Sequence, residues 1–155
     1  MQVRRWGAIV VVGLLAAAGP AEAQAPVAAG GQACGKPEFE AVVESAAASL
    51  RDLNSRNTPG FQDKLRLLRE RQKWSADEFM AKASTYVQDD RIAAYDQRAS
   101  DLLDKVNTMG EAGAAAKSPD CRLLGDLRAT MTALIDTQIE KWAYMFTKIE
   151  RGLVN

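Results

Sequence analysis

The sequence predicts an all-α protein, an antiparallel helical bundle of three long rods in which the first rod is broken at Pro59-Gly60. Three observations lead to this fold class. Apolar residues recur at alternating intervals of three and four positions, the spacing of a helix that packs in a bundle. Capping residues and first-turn prolines mark several helix starts. No stretch alternates like a strand, and nothing repeats at the period of a solenoid.

The first 23 residues have the pattern of a secretory signal peptide. Arg4 and Arg5 precede an apolar run that ends at Ala18, and the small-residue sequence 21–23 offers a cleavage site. The run is shorter than the roughly 20 residues that a spanning helix needs. We therefore expect a soluble mature protein without a membrane span, periplasmic or secreted. The arginine pair leaves twin-arginine export open beside the general secretory route.

Residues 24–33 lack periodicity and are rich in small residues, as is typical of a flexible lead. A single helical bundle domain is expected over 34–153. Its first helix has Pro37 in the first turn with acidic neighbours, which favour a helix N-terminus. One apolar stripe is predicted along this helix: Phe39, Val43, Ala46, Leu50 and Leu53.

The sequence Asn57-Thr58-Pro59-Gly60 predicts an interruption, because Thr58 can cap a new helix and Pro59 suits its first position. The second helix is expected to end near Trp74. Ser75 and Glu78 then form a capping box, the best local signal in the chain. It predicts a third helix that runs unbroken to about Met109.

Residues 110–117 are mostly glycine and alanine and predict a loop. Ser118-Pro119-Asp120 then opens the last helix with a cap, a first-position proline and an acid. The apolar face of this helix is wider than a single stripe, so we expect it to be the most buried element. Its members are Leu127, Met131, Leu134, Ile135, Ile139, Trp142, Phe146, Ile149 and Leu153.

The two cysteines that remain after signal cleavage, Cys34 and Cys121, predict a structural disulfide in an oxidising compartment. Each lies at the start of a predicted helix. A disulfide demands a short distance between the two Cα atoms, which an up-down four-helix bundle does not allow here. The bridge therefore favours three rods. The four-helix bundle stays open as the alternative, with unpaired cysteines available for redox or metal chemistry.

The mature chain is close to electrically neutral, with 18 basic and 19 acidic residues after the signal peptide is removed. This balance gives no reason to expect nucleic acid or an anionic membrane as a partner. The chain contains no histidine, the commonest general base and metal ligand. It also has no haem-attachment, phosphate-loop, nucleophile-elbow or calcium-loop motif. We therefore expect neither a cofactor nor a catalytic site.

Two weaker candidates for chemistry remain. Asp89 and Asp90 interrupt the apolar face of the third helix, and a paired-carboxylate site for a cation or for acid–base work is conceivable there. A solvated stretch where the stripe shifts phase explains them more simply. The dispersed methionines could be soft metal ligands, but core filling is the preferred interpretation. They are Met80, Met109, Met131 and Met145.

A local excess of positive charge in the second helix gives a possible interaction surface, formed by Lys64, Arg66, Arg69, Arg71 and Lys73. It could dock an acidic protein segment, a lipid head group or a cell-wall polymer. The third helix carries many acids, so charge pairing between neighbouring helices is the preferred explanation. Those acids are Asp77, Glu78, Asp89, Asp90, Asp96, Asp101 and Asp104.

The leading functional hypothesis is an exported, non-enzymatic binding, adaptor or chaperone-like protein whose partner is a protein or an envelope component. Stress chaperones that form cradles of long helices carry the motif L-T-x-x-Q, and residues 134–138 are only its nearest approach, so no family is assigned. One alternative is a carrier that holds a small apolar ligand within the bundle. The other is a cell-wall hydrolase based on Asp89 and Asp90.

Overall fold

The computed structural model describes residues 34–118 and 120–154. Within these ranges the chain forms four α-helices: α1 Lys36–Arg71, α2 Ala76–Ser84, α3 Asp90–Ala115 and α4 Cys121–Val154. No strand occurs among the described residues, so the all-α prediction is confirmed. None of the described helices is long and apolar enough to cross a membrane. The predicted signal peptide, 1–23, and lead, 24–33, lie outside the described residues.

The last helix, α4, is the central rod of the bundle. Both α1 and α3 pack along α4, and they touch each other much less. The starts of α1 and α4 are joined by the bond between Cys34 and Cys121, so these helices run in the same direction. The C-terminal part of α3 meets the start of α1, where Gly113 lies against the ring of Phe39. The middle rod therefore runs antiparallel to the other two, as the three-rod prediction requires.

The predicted break at Pro59-Gly60 is wrong, because α1 is a single helix that passes through Pro59. Proline inside a helix costs about 3 kcal/mol, since it removes a hydrogen-bond donor and crowds the preceding turn. Here both Pro59 and Gly60 are exposed, whereas Phe61 and Leu68 beyond them are buried against the rest of the bundle. Burial of each such side chain contributes about 1.5–3 kcal/mol, which offsets the cost and keeps the rod continuous.

The break occurs instead in the middle rod, which was predicted to be continuous from Ser75 to Met109. The capping box is present: the Glu78 amide donates to Ser75 Oγ at 3.2 Å, and the Ser75 amide donates to Glu78 Oε2 at 3.0 Å. However, α2 ends at Ser84, and α3 begins only at Asp90. The second start is capped by Asp89, whose Oδ1 accepts the amide hydrogen of Ile92 at 2.8 Å. Asp89 is thus an N-cap residue that lies inside an apolar pattern and separates α2 from α3.

Both boundaries between α3 and α4 also differ from the prediction. The predicted loop at 110–117 is helical as far as Ala115, and Gly113 within it lies where α3 approaches α1 closely. A Cβ atom at Gly113 would lie 2.5 Å from Phe39 Cε1. The cap of α4 is Asp120 rather than Ser118, since Asp120 Oδ1 accepts the Leu123 amide hydrogen at 2.8 Å. Pro119 lies outside the described residues.

The core consists of two clusters, one toward each end of the bundle. The cluster at the disulfide end, meaning the end that contains Cys34 and Cys121, is aliphatic and includes Ala46, Ala99, Leu127 and Leu134. The second cluster, here called the aromatic end, is built on Phe61, Ile92, Met145 and Ile149 with partly buried rings around them. Those rings are Tyr86, Trp142, Tyr144 and Phe146.

Thr137, on α4, separates the two clusters along the chain. It is fully buried, and its hydroxyl donates to the Ala133 carbonyl at 2.7 Å. Nearby, the Trp142 indole donates to Asn54 Oδ1 at 3.1 Å, and Lys141 forms an ion pair with Asp96. Polar side chains therefore lie between the two apolar regions, and each of those polar groups has a partner inside the chain.

Candidate binding surfaces

The predicted disulfide between Cys34 and Cys121 is present, with a Cα–Cα distance of 4.9 Å. Cys34 is 3% exposed and packs within the aliphatic cluster. No free cysteine remains among the described residues, so the thiols have a structural role here. The bond holds the first turns of α1 and α4 side by side, which rules out the up-down four-helix alternative.

The basic segment at the end of α1 is partly tied up by interactions within the chain. Lys64 pairs with Glu150 of α4 at 3.1 Å, and Arg66 pairs with Asp63 of its own helix. Arg69 donates from Nε to the Trp74 carbonyl at 3.4 Å and lies over the ring of Phe79, 5.3 Å from its centroid. Three of the five predicted surface residues are thus engaged within the chain, and Arg69 among them stabilises the turn from α1 into α2.

The other two members of the predicted surface, Arg71 and Lys73, are exposed and are not among the ion pairs of the described residues. Lys73 has a positive φ of 54° at the turn after α1, a conformation that side-chain-bearing residues adopt with some strain. Of the five residues, these two are therefore the ones that are exposed and without an ion pair in the described part of the chain.

The expected charge pairing between the basic segment and the acids of the middle rod is wrong. The middle-rod acids pair with α4 instead: Asp89 with Lys148, and Asp96 with Lys141. The reason is geometric, because α1 and α3 both pack on α4 and have little contact with each other.

Asp89 and Asp90 form no joint site. Asp89 is half-buried; besides capping α3, it accepts hydrogen bonds from Lys148 and from the Tyr144 hydroxyl, the latter at 2.9 Å. The Lys148 hydrogen bond, helped by the Ile92 amide and Tyr144, lowers the pKa of Asp89 to about 2. Asp90 is exposed. No group of three or more potential metal-ligating acids or cysteines comes together in the described ranges.

The four methionines are spread through the molecule. Met131 and Met145 are buried in different core clusters, and Met109 packs against the aliphatic cluster. These three fill the core, as predicted. Met80 does not, since it is 74% exposed on α2.

An open groove of about 440 Å³ runs between α1 and α4 on the outer side of the disulfide end. Its apolar lining comes from Val42 and Ala46 of α1 and from Met131 and Ile135 of α4. Ile139, 46% exposed, lies one turn beyond Ile135 and extends the apolar strip. Small and polar residues complete the lining: Ala41, Ser45, Ser49 and Thr132, with Glu38 and Arg128 also on the wall.

A second surface depression lies between α1 and α3 and measures about 250 Å³. Its apolar lining includes Phe39, Val43, Gly110 and Ala114. It is short, because the close approach of α1 and α3 at Gly113 and Phe39 lies beside it.

A third groove, polar and about 610 Å³ in volume, lies between α3 and α4 on the opposite half of the molecule. We call it the tyrosine–arginine groove, after Arg91, Tyr95, Tyr144 and Arg151 in its lining. The Arg91 guanidinium lies over the ring of Tyr144, 4.5 Å from its centroid, and donates to the Tyr95 hydroxyl at 3.4 Å. That hydrogen bond raises the pKa of Arg91, and the bond to Asp89 raises the pKa of Tyr144.

The tyrosine–arginine groove was not predicted from the sequence, although the spacing of its residues is visible there. Arg91 and Tyr95 are four positions apart on one helix, and Tyr144 and Arg151 are seven apart on another, so each pair shares a helix face. Without the relative rotation of α3 and α4, nothing indicates that the two faces meet.

Comparison with known proteins adds no relative: no family model matches the chain, and neither a curated protein nor a solved structure matches it. Function is therefore inferred from the surfaces described above.

Proposed function

We propose that this chain is an exported binding protein without catalytic activity, and that it holds an amphipathic helix of a partner protein in the groove between α1 and α4. The observation that carries the proposal is the composition of that groove, which joins an apolar floor to a wall of small residues. The signal-peptide pattern of residues 1–23 and the histidine-free sequence support the exported and non-enzymatic parts of the proposal.

Helix-in-groove recognition needs a shallow trough into which apolar anchors of the incoming helix can fit. On α1, Ala41, Ser45 and Ser49 follow one another at four-residue intervals and are exposed. Their short side chains would let a partner backbone approach α1 closely. On α4, the strip of Met131, Ile135 and Ile139 supplies the apolar contact.

The length of the groove matches a short helical segment. The α4 side of the groove runs from Arg128 to Ile135, about 10 Å at the helical rise per residue, and exposed Ile139 extends the apolar strip to about 16 Å. A partner helix of about three turns would cover it, with apolar anchors at positions i, i+3 or i+4, and i+7. In a three-rod bundle this trough is also where a fourth helix would complete the packing, which favours a helix over an extended strand.

Charge in the groove is confined to one end. Glu38 and Arg128 lie near the helix starts at the disulfide end, whereas the other residues that line the groove are neutral. The expected partner segment therefore has a neutral, apolar face, and its charged residues lie toward solvent. An acidic or basic polymer would find no counter-charge along the floor.

The two other functional hypotheses receive less support. A carrier of a small apolar ligand calls for an enclosed cavity, whereas the grooves described above are open at the surface. A hydrolase that uses Asp89 as a free carboxylate is disfavoured, because this residue already accepts hydrogen bonds from the Ile92 amide, Tyr144 and Lys148.

The test places a photo-crosslinking residue in the groove of the full chain, expressed in its native host, at Ser45 in one variant and at Thr132 in another. Both positions line the groove and are exposed. The matched control is the same residue at Leu67, which is 53% exposed on α1 but away from the groove. Mass spectrometry of the crosslinked product identifies the attached peptide.

We expect Ser45 and Thr132 to capture the same peptide, one with apolar residues at helical spacing, and Leu67 to capture none of it. Adding Ile139→Asp to the Ser45 and Thr132 crosslinking variants is expected to abolish the product, since it puts a charge on the apolar strip. Equal capture at Leu67, a product that survives Ile139→Asp, or a crosslink to a second copy of this chain would each overturn the proposal.

A further inference from the structure

The tyrosine–arginine groove between α3 and α4 lies apart from the proposed docking groove and has a different chemistry. Its lining combines two aromatic rings with two cationic side chains, Arg91 and Arg151. We propose that it is a binding site for a small organic oxyanion, a carboxylate or phosphate ester attached to a flat ring.

The positive charge of Arg91 and Arg151 favours an anion in this groove. Among the described ion pairs, the acids around the groove are already engaged: Asp89 with Lys148, Glu140 with Arg98 at 3.8 Å, and Glu150 with Lys64 at 3.1 Å. Arg91 and Arg151 form no ion pair in this part of the structure. Asp89 acts on Arg91 electrostatically and the Glu140 carboxylate also lines the groove, but neither guanidinium forms an ion pair with them, and an anion would supply one.

The hydrogen-bonding groups of the groove that lack a partner among the described residues also favour an anion. The Tyr144 hydroxyl donates its proton to Asp89, and the Thr147 hydroxyl donates its proton to the Ala143 carbonyl. Tyr95 accepts from Arg91, which leaves the Tyr95 proton free to donate. The unused groups are thus the remaining N–H donors of two arginines and one O–H donor. An oxyanion, which presents acceptors, satisfies these donors, provided that it binds away from the Glu140 carboxylate in the same lining.

Contacts within the protein also hold the Arg91 side chain in place before a ligand binds. The Arg91 guanidinium lies over Tyr144 at 4.5 Å and within 5.9 Å of the centroid of Tyr95. Such stacking restrains a flexible side chain before a ligand arrives, which reduces the entropy that binding must remove. The Tyr144 ring is itself fixed by the bond to Asp89. Arginine held on an aromatic face is well placed for bidentate recognition of a carboxylate or phosphate.

The rest of the lining indicates what the oxyanion is attached to. The rings of Tyr95 and Tyr144 lie with their centroids 6.4 Å apart and their planes inclined by 49°, and Ala143 contributes a methyl group beside them. This arrangement offers aromatic and apolar surface next to the cationic groups. Since aromatic pairs gain from stacked and edge contacts, a ligand with a ring next to its anionic group fits better than a bare ion.

The experiment titrates the isotope-labelled mature protein with phenyl phosphate, benzoate and inorganic phosphate at low salt, and follows amide shifts by NMR. We expect saturable shifts centred on Arg91, Tyr95, Tyr144 and Arg151, with the ring-bearing probes binding more tightly than inorganic phosphate. The double variant Arg91→Gln with Arg151→Gln is expected to weaken phenyl phosphate by about tenfold or more, because charge-assisted hydrogen bonds are lost. Tyr95→Phe keeps the ring and removes one donor, so a several-fold loss is expected.

The control is Arg71→Gln, which removes an exposed arginine that also lacks an ion pair but lies at the end of α1. It should bind phenyl phosphate as the wild type does. Both substituted arginines are exposed, so circular dichroism is expected to show intact helices in every variant. Equal weakening in Arg71→Gln, affinity unchanged in both groove variants, or inorganic phosphate binding as tightly as phenyl phosphate would overturn the assignment.

Discussion

At the disulfide end, α1, α3 and α4 meet through aliphatic and small side chains, and a covalent bond joins two of the helices. At the aromatic end the same helices, together with the turn after α2, meet through rings, hydrogen bonds and ion pairs. Phe61 makes edge contacts with Trp142 and Phe146, both at 5.7 Å between centroids. The two ends of this small bundle are therefore stabilised differently, one by a covalent bond and aliphatic packing, the other by aromatic and polar contacts.

The difference follows from where the helices end. The middle rod is interrupted between Ser84 and Asp90, and the turn between these residues lies against the last turns of α4, where Tyr86 approaches Gly152. Lys148 of α4 donates to the Thr85 carbonyl and to Asp89, which attaches that turn to the central rod. The disulfide end has continuous helices on all sides and needs no such attachment.

The largest effect is expected from removing the covalent link, in the double variant Cys34→Ser with Cys121→Ser. Closing a loop of 87 residues stabilises the folded state by about 4–5 kcal/mol in the chain-entropy model. We expect a loss of about 4 kcal/mol in urea unfolding, and hydrogen exchange that rises more at Leu127 than at Ile149, because only the disulfide end loses its tie. A loss below about 1 kcal/mol, or equal exchange at both ends, would contradict the comparison.

A smaller effect is expected from filling the glycine position at each end. In Gly113→Ala the new Cβ would lie 2.5 Å from the buried ring of Phe39, whereas in Gly152→Ala it would meet the Tyr86 hydroxyl at 2.6 Å. A ring inside the aliphatic cluster cannot withdraw, but the end of a half-buried tyrosine can shift. We expect Gly113→Ala to destabilise by about 1–3 kcal/mol and Gly152→Ala by less than about 1 kcal/mol.

The control for the glycine pair is Gly125→Ala, on α4, where a Cβ would meet nothing within 4 Å. Helix propensity alone predicts a gain of up to about 1 kcal/mol there. Thermal unfolding of the three variants, each with its disulfide intact, measures the differences. If Gly152→Ala proved as costly as Gly113→Ala, the aromatic end would be packed as rigidly as the other.

The sequence was sufficient for the helical fold, the three-rod topology and the disulfide, because each depends on spacing or on the reach of one bond. It was misleading at Pro59, where local propensity favoured a break that the burial of Phe61 and Leu68 overrides. It was misleading again at Asp89, which caps α3 from inside an apolar pattern and whose other partners, Lys148 and Tyr144, lie more than fifty residues away in the chain. The grooves could not be predicted, since they depend on how α1 and α3 are rotated relative to α4.

The most specific prediction concerns the ionic contact at the aromatic end, tested with Asp89→Asn. Asparagine still caps a helix, so the variant removes mainly the carboxylate charge opposite Lys148. The folded-state pKa of Asp89 is lowered from 3.8 to about 2, so its contribution is complete above about pH 5 and is lost as the pH falls toward 2. We expect Asp89→Asn to cost about 1 kcal/mol at pH 7, after allowance for partial exposure, and only a small fraction of that at pH 2, where the carboxyl is half protonated.

Asp90→Asn is the matched control, because Asp90 is the neighbouring acid in the first turn of α3 but is exposed. Its stability difference from the wild type should stay small and nearly constant between pH 5 and pH 2. Urea unfolding at several pH values compares the three proteins, and the Glu78 carboxyl, whose pKa is also lowered to about 2, affects all of them alike. A pH-independent cost for Asp89→Asn would mean that the carboxylate charge opposite Lys148 does not stabilise the fold, and the attachment of the turn to α4 would then rest on the Lys148 bond to Thr85.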